Sequence, residues 1–348
     1  MIYFRSDYSQ GAHPKVLQAL SNTNFEHTDG YGLDEHCQNA ASMIKELIGN
    51  ANCHVHMMIG GTPCNITVIC ASLRPYEAVI SAKSGHIYAH ETGGVEATGH
   101  RIITVEGSDG KLCPADIDKA FKEYEDEHTV APKMVYISQP TEIGTIYSKA
   151  ELEALYGKCK EKNLYLYVDG ARLASALTCE QNDLSIKDLA ALCDAFYLGG
   201  TKNGALFGEA LVILNDAIND HFRYIIKQHC SMLAKGRLLG VQFEALLAGG
   251  EDSLYFEMAK HANNLASALR QGLQKLGIAF LGSSPTNQVF PILPKAVVEG
   301  LETEFSFHRW APEENGYIPV RFVTGWGSKK EEVDALLAKI KEIMEETK

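Results

Sequence analysis

Short runs of β-branched and aromatic residues alternate with amphipathic helical segments along most of this chain. The predicted helices include Pro114–Tyr124, which has a proline in its first turn, and Lys149–Lys160. Such alternation is typical of an α/β domain with a mostly parallel central sheet flanked by helices. The predicted strands of this sheet are His54–Met58, Glu77–Ser81, Arg101–Val105, Met134–Ser138, Leu164–Val168 and Ala195–Leu198.

The pattern changes at about residue 251. A long predicted helix, Ser253–Leu276, precedes shorter strands, and the turn sequence Glu313–Gly316 predicts a hairpin. We therefore predict a large domain over residues 1–250 and a smaller α+β domain with antiparallel strands over residues 251–348. The predicted strands of the smaller domain are Ala279–Leu281, Gln288–Leu293, Glu304–Trp310 and Tyr317–Val323.

The charge of the chain excludes one class of partner. It carries 32 Lys and Arg against 44 Asp and Glu, which gives a net charge of −12. Nucleic acids and anionic membrane surfaces bind proteins with an excess of positive charge, so neither is expected as a partner. No apolar run approaches the roughly 20 residues that span a bilayer. The N-terminal sequence MIYFRSDYSQ is polar by its fifth residue and has no apolar signal core.

The nine cysteines indicate a reducing compartment. None of them forms a Cys-x-x-Cys pair, so the usual zinc and redox motifs are missing. An odd number of cysteines in a long chain is also unlike the small secreted domains that disulfides hold together. We therefore expect reduced thiols and a cytoplasmic protein large enough to be an enzyme.

Several predicted strands end in small or polar residues, at the place where open α/β sheets bind their ligands. Asp169 follows a buried apolar strand, and Lys202 lies in the run of small residues Gly199–Ala205. Taken alone, Asp169 could equally cap the next helix, and Lys202 could be an exposed loop lysine. One helix and one strand separate the two residues, so both are expected at the same edge of the sheet.

An aspartate opposite a lysine in such a cleft is the arrangement that pyridoxal phosphate needs. The lysine amine forms a Schiff base with this cofactor, and the carboxylate pairs with its protonated pyridine nitrogen, so that the ring can withdraw electrons. The phosphate requires backbone N–H groups at a helix N-terminus. Gly60-Gly61-Thr62-Pro63 is expected to supply them, with glycines for close approach and Thr62 as the N-cap.

Six segments resemble the low-specificity L-threonine aldolases, in the same order, from about Phe4 to Gly327. These segments are Phe4-Arg5-Ser6-Asp7, Gly11-Ala12-His13-Pro14, Gly85-His86-Ile87, Gln139–Thr145, Val168–Ala174 and Gly200–Gly204. The resemblance implies the fold type I of pyridoxal phosphate enzymes, which resembles aspartate aminotransferase. It also implies retro-aldol cleavage of L-threonine or L-allo-threonine to glycine and an aldehyde. The expected assembly is a homotetramer of two dimers, with active sites shared across subunits.

The resemblance implies a role for each residue that matches the family. Lys202 is the expected covalent attachment point, Asp169 the partner of the pyridine nitrogen and His86 the group stacked on the ring. Ser6 makes the N-terminal segment, residues 1–20, part of the site. The implied cofactor-binding residues are Gly61, Thr62, His86, Asp169, Arg172, Thr201, Lys202 and Lys235. The implied substrate-binding residues are Ser6, Arg172 and Arg321, for the carboxylate, and Tyr31, near a subunit boundary.

One position departs from the family pattern. Better-known members have a histidine where this chain has Glu142, and that histidine is a candidate for the base or for the partner of the substrate hydroxyl. A carboxylate can serve as base if partial burial raises its pKa. The expected catalytic residues are therefore Lys202, Asp169, His86 and Glu142, and the base is His86, Glu142 or water.

His86, His90 and Glu91 could also suggest a metal site, because residues four apart share a helix face. Stacking of His86 on the cofactor explains them more simply, so no metal is expected. The pair of Lys202 and Asp169 specifies the cofactor but leaves open which bond is broken. A β-eliminating lyase and a catalytically silent cofactor-binding relative therefore remain as alternatives.

Overall fold

The computed structural model describes residues 1–346 and contains a large, mostly parallel sheet, as predicted. The strand Glu209–Ile213, which is absent from the predicted set, is antiparallel to both of its neighbours, whereas the other pairs are parallel. Its residues are all buried, as is usual for a strand inside a covered sheet. In spatial order the strands are His54–Met58, Glu209–Ile213, Ala195–Gly199, Tyr165–Asp169, Ala131–Ser138, Glu77–Ala82 and Arg101–Val105.

Helices cover both faces of the large sheet. Alternate side chains of one strand enter opposite cores: Phe196 and Leu198 lie in one, Ala195 and Tyr197 in the other. The helices of the first 250 residues are Pro14–Asn22, Glu35–Ile48, Gly61–Ser72, His86–Ala89, Pro114–Glu123, Lys149–Glu161, Leu173–Thr178, Ile186–Ala191, Asp216–Asn219, Phe222–Gln228 and Arg237–Leu247. Leu254–Lys275, Lys295–Leu301 and Lys330–Glu346 follow, and Glu96–Thr98 and Gly250–Asp252 are 3₁₀ turns. Among the described residues, no helix is long and apolar enough to cross a membrane.

The last third of the chain forms a smaller antiparallel sheet, as predicted. The strand Tyr317–Val323 lies at its centre and pairs with several short strands. The hairpin turn is present, since Asn315 and Gly316 both have positive φ, of 51° and 81°. The short strands of this sheet are Ala279–Phe280, Gln288–Val289, Pro291–Pro294 and His308–Arg309.

Two predicted strands of this region are wrong in their extent. The predicted strand over residues 304–310 divides at the buried Phe307, because the chain changes partner there. Phe305–Ser306 pairs in parallel with Ile2–Tyr3, whereas His308–Arg309 joins the antiparallel sheet. The predicted strand over residues 288–293 is interrupted before Pro291, whose nitrogen has no hydrogen to donate to a neighbouring strand.

The first residues of the chain belong to the core of the smaller sheet. Phe4 is fully buried there, with its ring 6.0 Å from that of Phe322 and 6.5 Å from that of Phe305. The helix Leu254–Lys275 begins in the core of the large sheet and ends in that of the smaller one. The division of the chain between residues 250 and 251 stays a prediction.

Candidate active site

Four predicted catalytic residues lie near the edge of the large sheet where the parallel strands end. Asp169 is the last residue of its strand, and Lys202 follows the neighbouring strand by three residues. His86 begins a short helix after Glu77–Ala82, and Glu142 follows the strand that ends at Ser138. The charges of Asp169 and Glu142 act on both Lys202 and His86. The structure therefore places these four side chains in one electrostatic cluster.

Asp169 is held by four hydrogen-bond donors. Its Oδ1 accepts from the Tyr197 hydroxyl at 2.6 Å and from the Ala171 amide at 3.0 Å. Its Oδ2 accepts from the Tyr136 hydroxyl at 2.6 Å and from Asn65 Nδ2 at 3.0 Å. Only 4% of Asp169 is exposed, so these donors replace water around the carboxylate.

These contacts decide between the two interpretations of Asp169. Burial alone would raise its pKa, but the charge of His86 and the hydrogen bonds lower it below the ordinary value, so the group stays ionised. The following helix, Leu173–Thr178, has Arg172 as its N-cap and no side-chain cap. Asp169 therefore does not cap that helix, and its charge is available to a cationic ring nitrogen.

Lys202 lies in a cleft that Asp7 and Arg172 also line. Its Nζ is 5.9 Å from the centre of the Tyr8 ring. Burial and the charge of Arg172 lower its pKa below the ordinary value, against the opposing charges of Asp7, Glu142 and Asp169. A lysine with a lowered pKa holds more of its amine in the neutral, nucleophilic form.

The predicted phosphate-binding turn begins the helix Gly61–Ser72. A Cβ on Gly61 would lie 3.0 Å from the Tyr197 hydroxyl, so the glycine is needed for close packing. The prediction that Thr62 caps the helix is wrong: Gly60 is the N-cap and no side chain caps the turn. Thr62 instead lies inside the first turn, where amides have no acceptor within the helix and can bind an anion.

Arg172 is paired within the chain by a residue that the sequence analysis did not select. Its Nε donates to Asp7 Oδ2 at 2.6 Å and its Nη2 to Oδ1 at 3.1 Å. Asn287 Nδ2 donates to Asp7 Oδ2 at 2.9 Å. Arg172 thus offers a substrate carboxylate only the far edge of its guanidinium. The signal in the sequence is that Asp7 directly follows Ser6, in a segment that the family resemblance assigns to the site.

Arg321 is a buried cation, with 8% of the residue exposed. Its Nη2 donates to His308 Nδ1 at 2.9 Å, its Nη1 contacts Gln288 Oε1 at 3.4 Å, and its guanidinium lies 4.9 Å from the Trp310 ring. Its Nε is buried without a hydrogen-bond partner within residues 1–346. Burial and the charge of Arg172 lower its pKa, although Asp7 and Glu142 oppose this.

The other predicted residues make different contacts. Ser6 Oγ is 2.8 Å from Ser9 Oγ. The Tyr31 amide donates to the Ala234 carbonyl at 3.0 Å, which places Tyr31 beside the exposed Lys235. No hydrogen bond joins Ser6 or Tyr31 to Lys202 in the part of the chain that the structure describes. In that same part, no group of three or more His, Cys, Asp and Glu could hold a metal ion.

Glu209 is a further buried acid at this edge that the sequence analysis missed. Glu209 is the first residue of the antiparallel strand, and the amino end of that strand lies where the parallel strands have their carboxyl ends. Its Oε2 accepts from the Gly200 amide at 2.7 Å. The Thr201 hydroxyl accepts from the Gly208 amide at 2.9 Å. Glu209 therefore stabilises the loop that carries Lys202.

Glu209→Gln is expected to stabilise the protein increasingly as the pH rises. Burial raises the pKa of Glu209 from its ordinary value of 4.5 to about 7. Between these two pH values Glu209 ionises in the unfolded chain but keeps its proton in the folded protein. The free energy of unfolding therefore falls by up to about 3 kcal/mol, a loss that the glutamine variant does not have. Melting temperatures of variant and wild type at about pH 5 and about pH 8 measure this. A difference between them that does not grow with pH would contradict it.

The residues at this edge fit pyridoxal phosphate. Asp169 supplies an ionised acceptor for the pyridine nitrogen, and Lys202 supplies an amine with a lowered pKa. The helix that begins at Gly61 provides amides for the phosphate, and its glycine allows close approach. The site therefore contains the three kinds of group that the cofactor requires.

Comparison with known proteins agrees with this geometry. The low specificity L-threonine aldolase of Pseudomonas sp. (strain NCIMB 10558) is 30% identical, over 98% of this chain and 97% of its own. The solved structure of Leishmania major threonine aldolase superimposes on this one with a TM-score of 0.96 over 99% of each chain, and the two sequences are 45% identical. Aspartate aminotransferase of Thermus thermophilus, at 17% identity and a TM-score of 0.71, shares the fold.

A sequence model of the beta-eliminating lyase family matches residues 3–296, which is most of the chain. The predicted fold type I is confirmed by these structural likenesses, and the predicted cofactor by the family. The protein is a carbon–carbon lyase of this fold. The chain belongs to the beta-eliminating lyase family, whose cofactor is pyridoxal phosphate.

Proposed function

We propose that this protein cleaves L-threonine, L-allo-threonine and related β-hydroxy-α-amino acids to glycine and an aldehyde. The observation that carries the proposal is Arg321, a buried guanidinium within electrostatic reach of Arg172 and Glu142. Its Nε has no hydrogen-bond partner among the residues that the structure describes. A buried cation needs an anion, and the carboxylate of an amino acid fits a guanidinium. The names of the relatives support the same reaction.

The cofactor would be held by residues from several elements. When bound, pyridoxal phosphate withdraws electrons from the bond that breaks. Lys202 would hold it covalently, Asp169 would accept a hydrogen bond from its ring nitrogen, and the amides of Gly61 and Thr62 would bind its phosphate. His86 would pack against the ring. Thr201, Arg172 and Lys235 would complete this group by family resemblance, whereas Ser6 is assigned by the same resemblance to the substrate carboxylate.

Cleavage requires a base for the proton of the β-hydroxyl group, and His86 and Glu142 are the two candidates. Burial opposes protonation of His86, but its hydrogen bond to Glu91 and the charges of Glu142 and Asp169 raise its pKa above the ordinary value. The neutral imidazole of His86 is therefore a stronger base than an ordinary histidine. We assign it the role of base and assign Glu142 an influence on the choice between threonine and allo-threonine.

The product of the reaction tests the proposed function. Purified enzyme with L-threonine is expected to release glycine and acetaldehyde in equal amounts, and the Lys202→Ala variant should release neither. Formation of 2-oxobutanoate would indicate β-elimination instead. Bound cofactor without any product would indicate a catalytically silent relative.

Arg321→Lys is expected to raise KM for threonine about 10- to 100-fold with a smaller effect on kcat. A charged hydrogen bond contributes about 1.5–3 kcal/mol, and lysine cannot form the two parallel bonds of a guanidinium. Steady-state kinetics on both isomers of threonine measure it. Arg309→Lys is the matched control, because Arg309 lies on the adjacent strand but is exposed and paired with Glu302. An unchanged KM for Arg321→Lys would place the carboxylate elsewhere.

We also propose that the enzyme is a cytoplasmic homotetramer, a dimer of dimers whose sites are completed by a neighbouring copy. The free state of all nine cysteines supports the location. The exposure of Phe25 (91%) and Leu33 (54%), in the segment that carries Tyr31, supports the assembly. In that assembly Tyr31 and Lys235 would face a partner's site. Light scattering of the purified protein measures the mass, and a monomer would contradict the proposal.

A further inference from the structure

A buried carboxylate lies directly behind His86. The Glu91 side chain has no exposed surface, and its Oε1 is 2.8 Å from His86 Nδ1. Its Oε2 is buried and has no hydrogen-bond partner within residues 1–346. The proposed reaction uses Glu91 only for its effect on the pKa of His86, and with no metal-binding group among those residues, its complete burial calls for a further explanation.

Asn65 connects Glu91 to the centre of the site. Its Oδ1 accepts from the Tyr167 hydroxyl at 2.9 Å, which directs Nδ2 away from that tyrosine. Nδ2 donates to Glu91 Oε1 at 2.8 Å and to Asp169 Oδ2 at 3.0 Å. Asn65 is fully buried, so its orientation is fixed by these contacts. Glu91 is therefore held in place from one side by Asn65.

This arrangement determines which nitrogen of His86 carries a proton. A carboxylate only accepts hydrogen bonds, so His86 must donate to Glu91 from Nδ1. A neutral imidazole then has its lone pair on Nε2, at the edge of the ring away from Glu91. Nε2 is consequently the nitrogen that can take a proton from another group.

We propose that Glu91 is a positioning residue that holds His86 as the Nδ1–H tautomer, with Nε2 free to act as base. The proposal rests on the proposed function for what His86 does with its proton. Glu91 acts through His86 and touches neither substrate nor cofactor. Loss of Glu91 should accordingly affect the proton step and leave cofactor binding intact.

The tautomer can be measured without reference to turnover. In the full-length enzyme with its cofactor, labelled with ¹⁵N-histidine, the nitrogen shifts of neutral His86 should show protonated Nδ1 and bare Nε2. His86→Phe identifies the resonances by their loss. Glu91→Leu removes the acceptor and should shift His86 toward the Nε2–H tautomer. The exposed Glu96 gives the matched control, since Glu96→Leu should leave the shifts unchanged.

Glu91→Gln covers the case in which the leucine variant does not fold. Glutamine keeps an acceptor oxygen but loses the charge, so the tautomer should persist while the measured pKa of His86 falls by about 1. The other charged groups that act on His86 are Glu142, Asp169 and Lys202, with His90 5.5 Å away, and all of them are unchanged in this variant. A pKa that does not fall would overturn the proposal.

Kinetics then separate two routes by which Glu91 could act. Glu91→Leu alone should lower kcat for threonine about 10- to 100-fold and His86→Phe about 10²- to 10⁴-fold. In the His86→Phe background, Glu91→Leu should cause no further loss, because its effect passes through the imidazole. A fully additive loss would show an effect through Asn65 and Asp169 and would overturn the proposal. A wild-type His86 whose neutral form carries its proton on Nε2 would also overturn the proposal.

The failure of the proposed function can be distinguished from the failure of this proposal. If threonine is not cleaved at all but the tautomer is as expected, the proposed function fails and the role of Glu91 in holding His86 stands.

Discussion

Lys202→Ala is expected to abolish threonine cleavage, with a loss in kcat of about 10⁴-fold or more. Lys202 is the lysine that the fold places in the same cleft as Arg172 and in electrostatic contact with Asp169. Its pKa is lowered by burial, which favours the neutral amine that attaches to a carbonyl group. Alanine removes this amine and leaves the neighbouring backbone of the loop in place.

The measurement has two parts. Turnover is assayed directly, and the wild-type enzyme is reduced with borohydride, digested and analysed by mass spectrometry to locate the attached cofactor. Lys83→Ala is the control, because Lys83 also follows a strand of the large sheet but is exposed and paired with Glu106. Attachment of the cofactor to a lysine other than Lys202 would show that the assignment is wrong.

Asp169→Asn is expected to lower kcat about 10²- to 10³-fold while cofactor is still bound. The carboxylate accepts four hydrogen bonds, and an asparagine amide nitrogen cannot accept any. The variant also loses the negative charge that keeps a pyridine nitrogen protonated. Both changes act on the same carboxylate group. We expect the resulting loss in kcat to be second only to that of Lys202→Ala.

Tyr136→Phe is the matched variant for Asp169→Asn. It removes one donor to Oδ2 at 2.6 Å but keeps the charge of the carboxylate. Its effect on kcat should be about 10-fold, close to the contribution of one hydrogen bond to a charged group. Absorbance titration with pyridoxal phosphate measures cofactor affinity in both variants. Near-normal turnover of Asp169→Asn would remove the basis for its role.

The positions of most of the predicted catalytic residues follow from sequence because parallel strands all end at one edge of a sheet. Recognition of the strands before Asp169 and Lys202 was therefore enough to place these residues together, and Glu142 follows another such strand. His86 was selected through the family resemblance alone. The family resemblance added the expected roles. These roles stay predictions until the variants are measured.

The missed residues depend on information that strand periodicity does not contain. Glu209 begins an antiparallel strand, so the rule for parallel strands gives no reason to select it. Asp7 pairs with Arg172, which lies 165 residues further along the chain, and Glu91, considered from the sequence only as part of a metal site, gains its importance from Asn65 on the helix Gly61–Ser72. Thr62 was expected as a cap, but the chain extends its helix back to Gly61. Each of these depends on the packing of distant segments.

The pairing of the first residues with the last third of the chain determines the order in which the site is completed during synthesis. The Ile2 amide donates to the Glu304 carbonyl and the Val323 amide to the Phe4 carbonyl, so these partners meet only after nearly the whole chain has left the ribosome. Contacts between such distant residues form late in folding. Lys202 and Asp169 lie in the part that is made earlier, whereas Arg321 is made close to the end. A growing chain is therefore expected to gain the capacity to capture cofactor before it can recognise an amino acid.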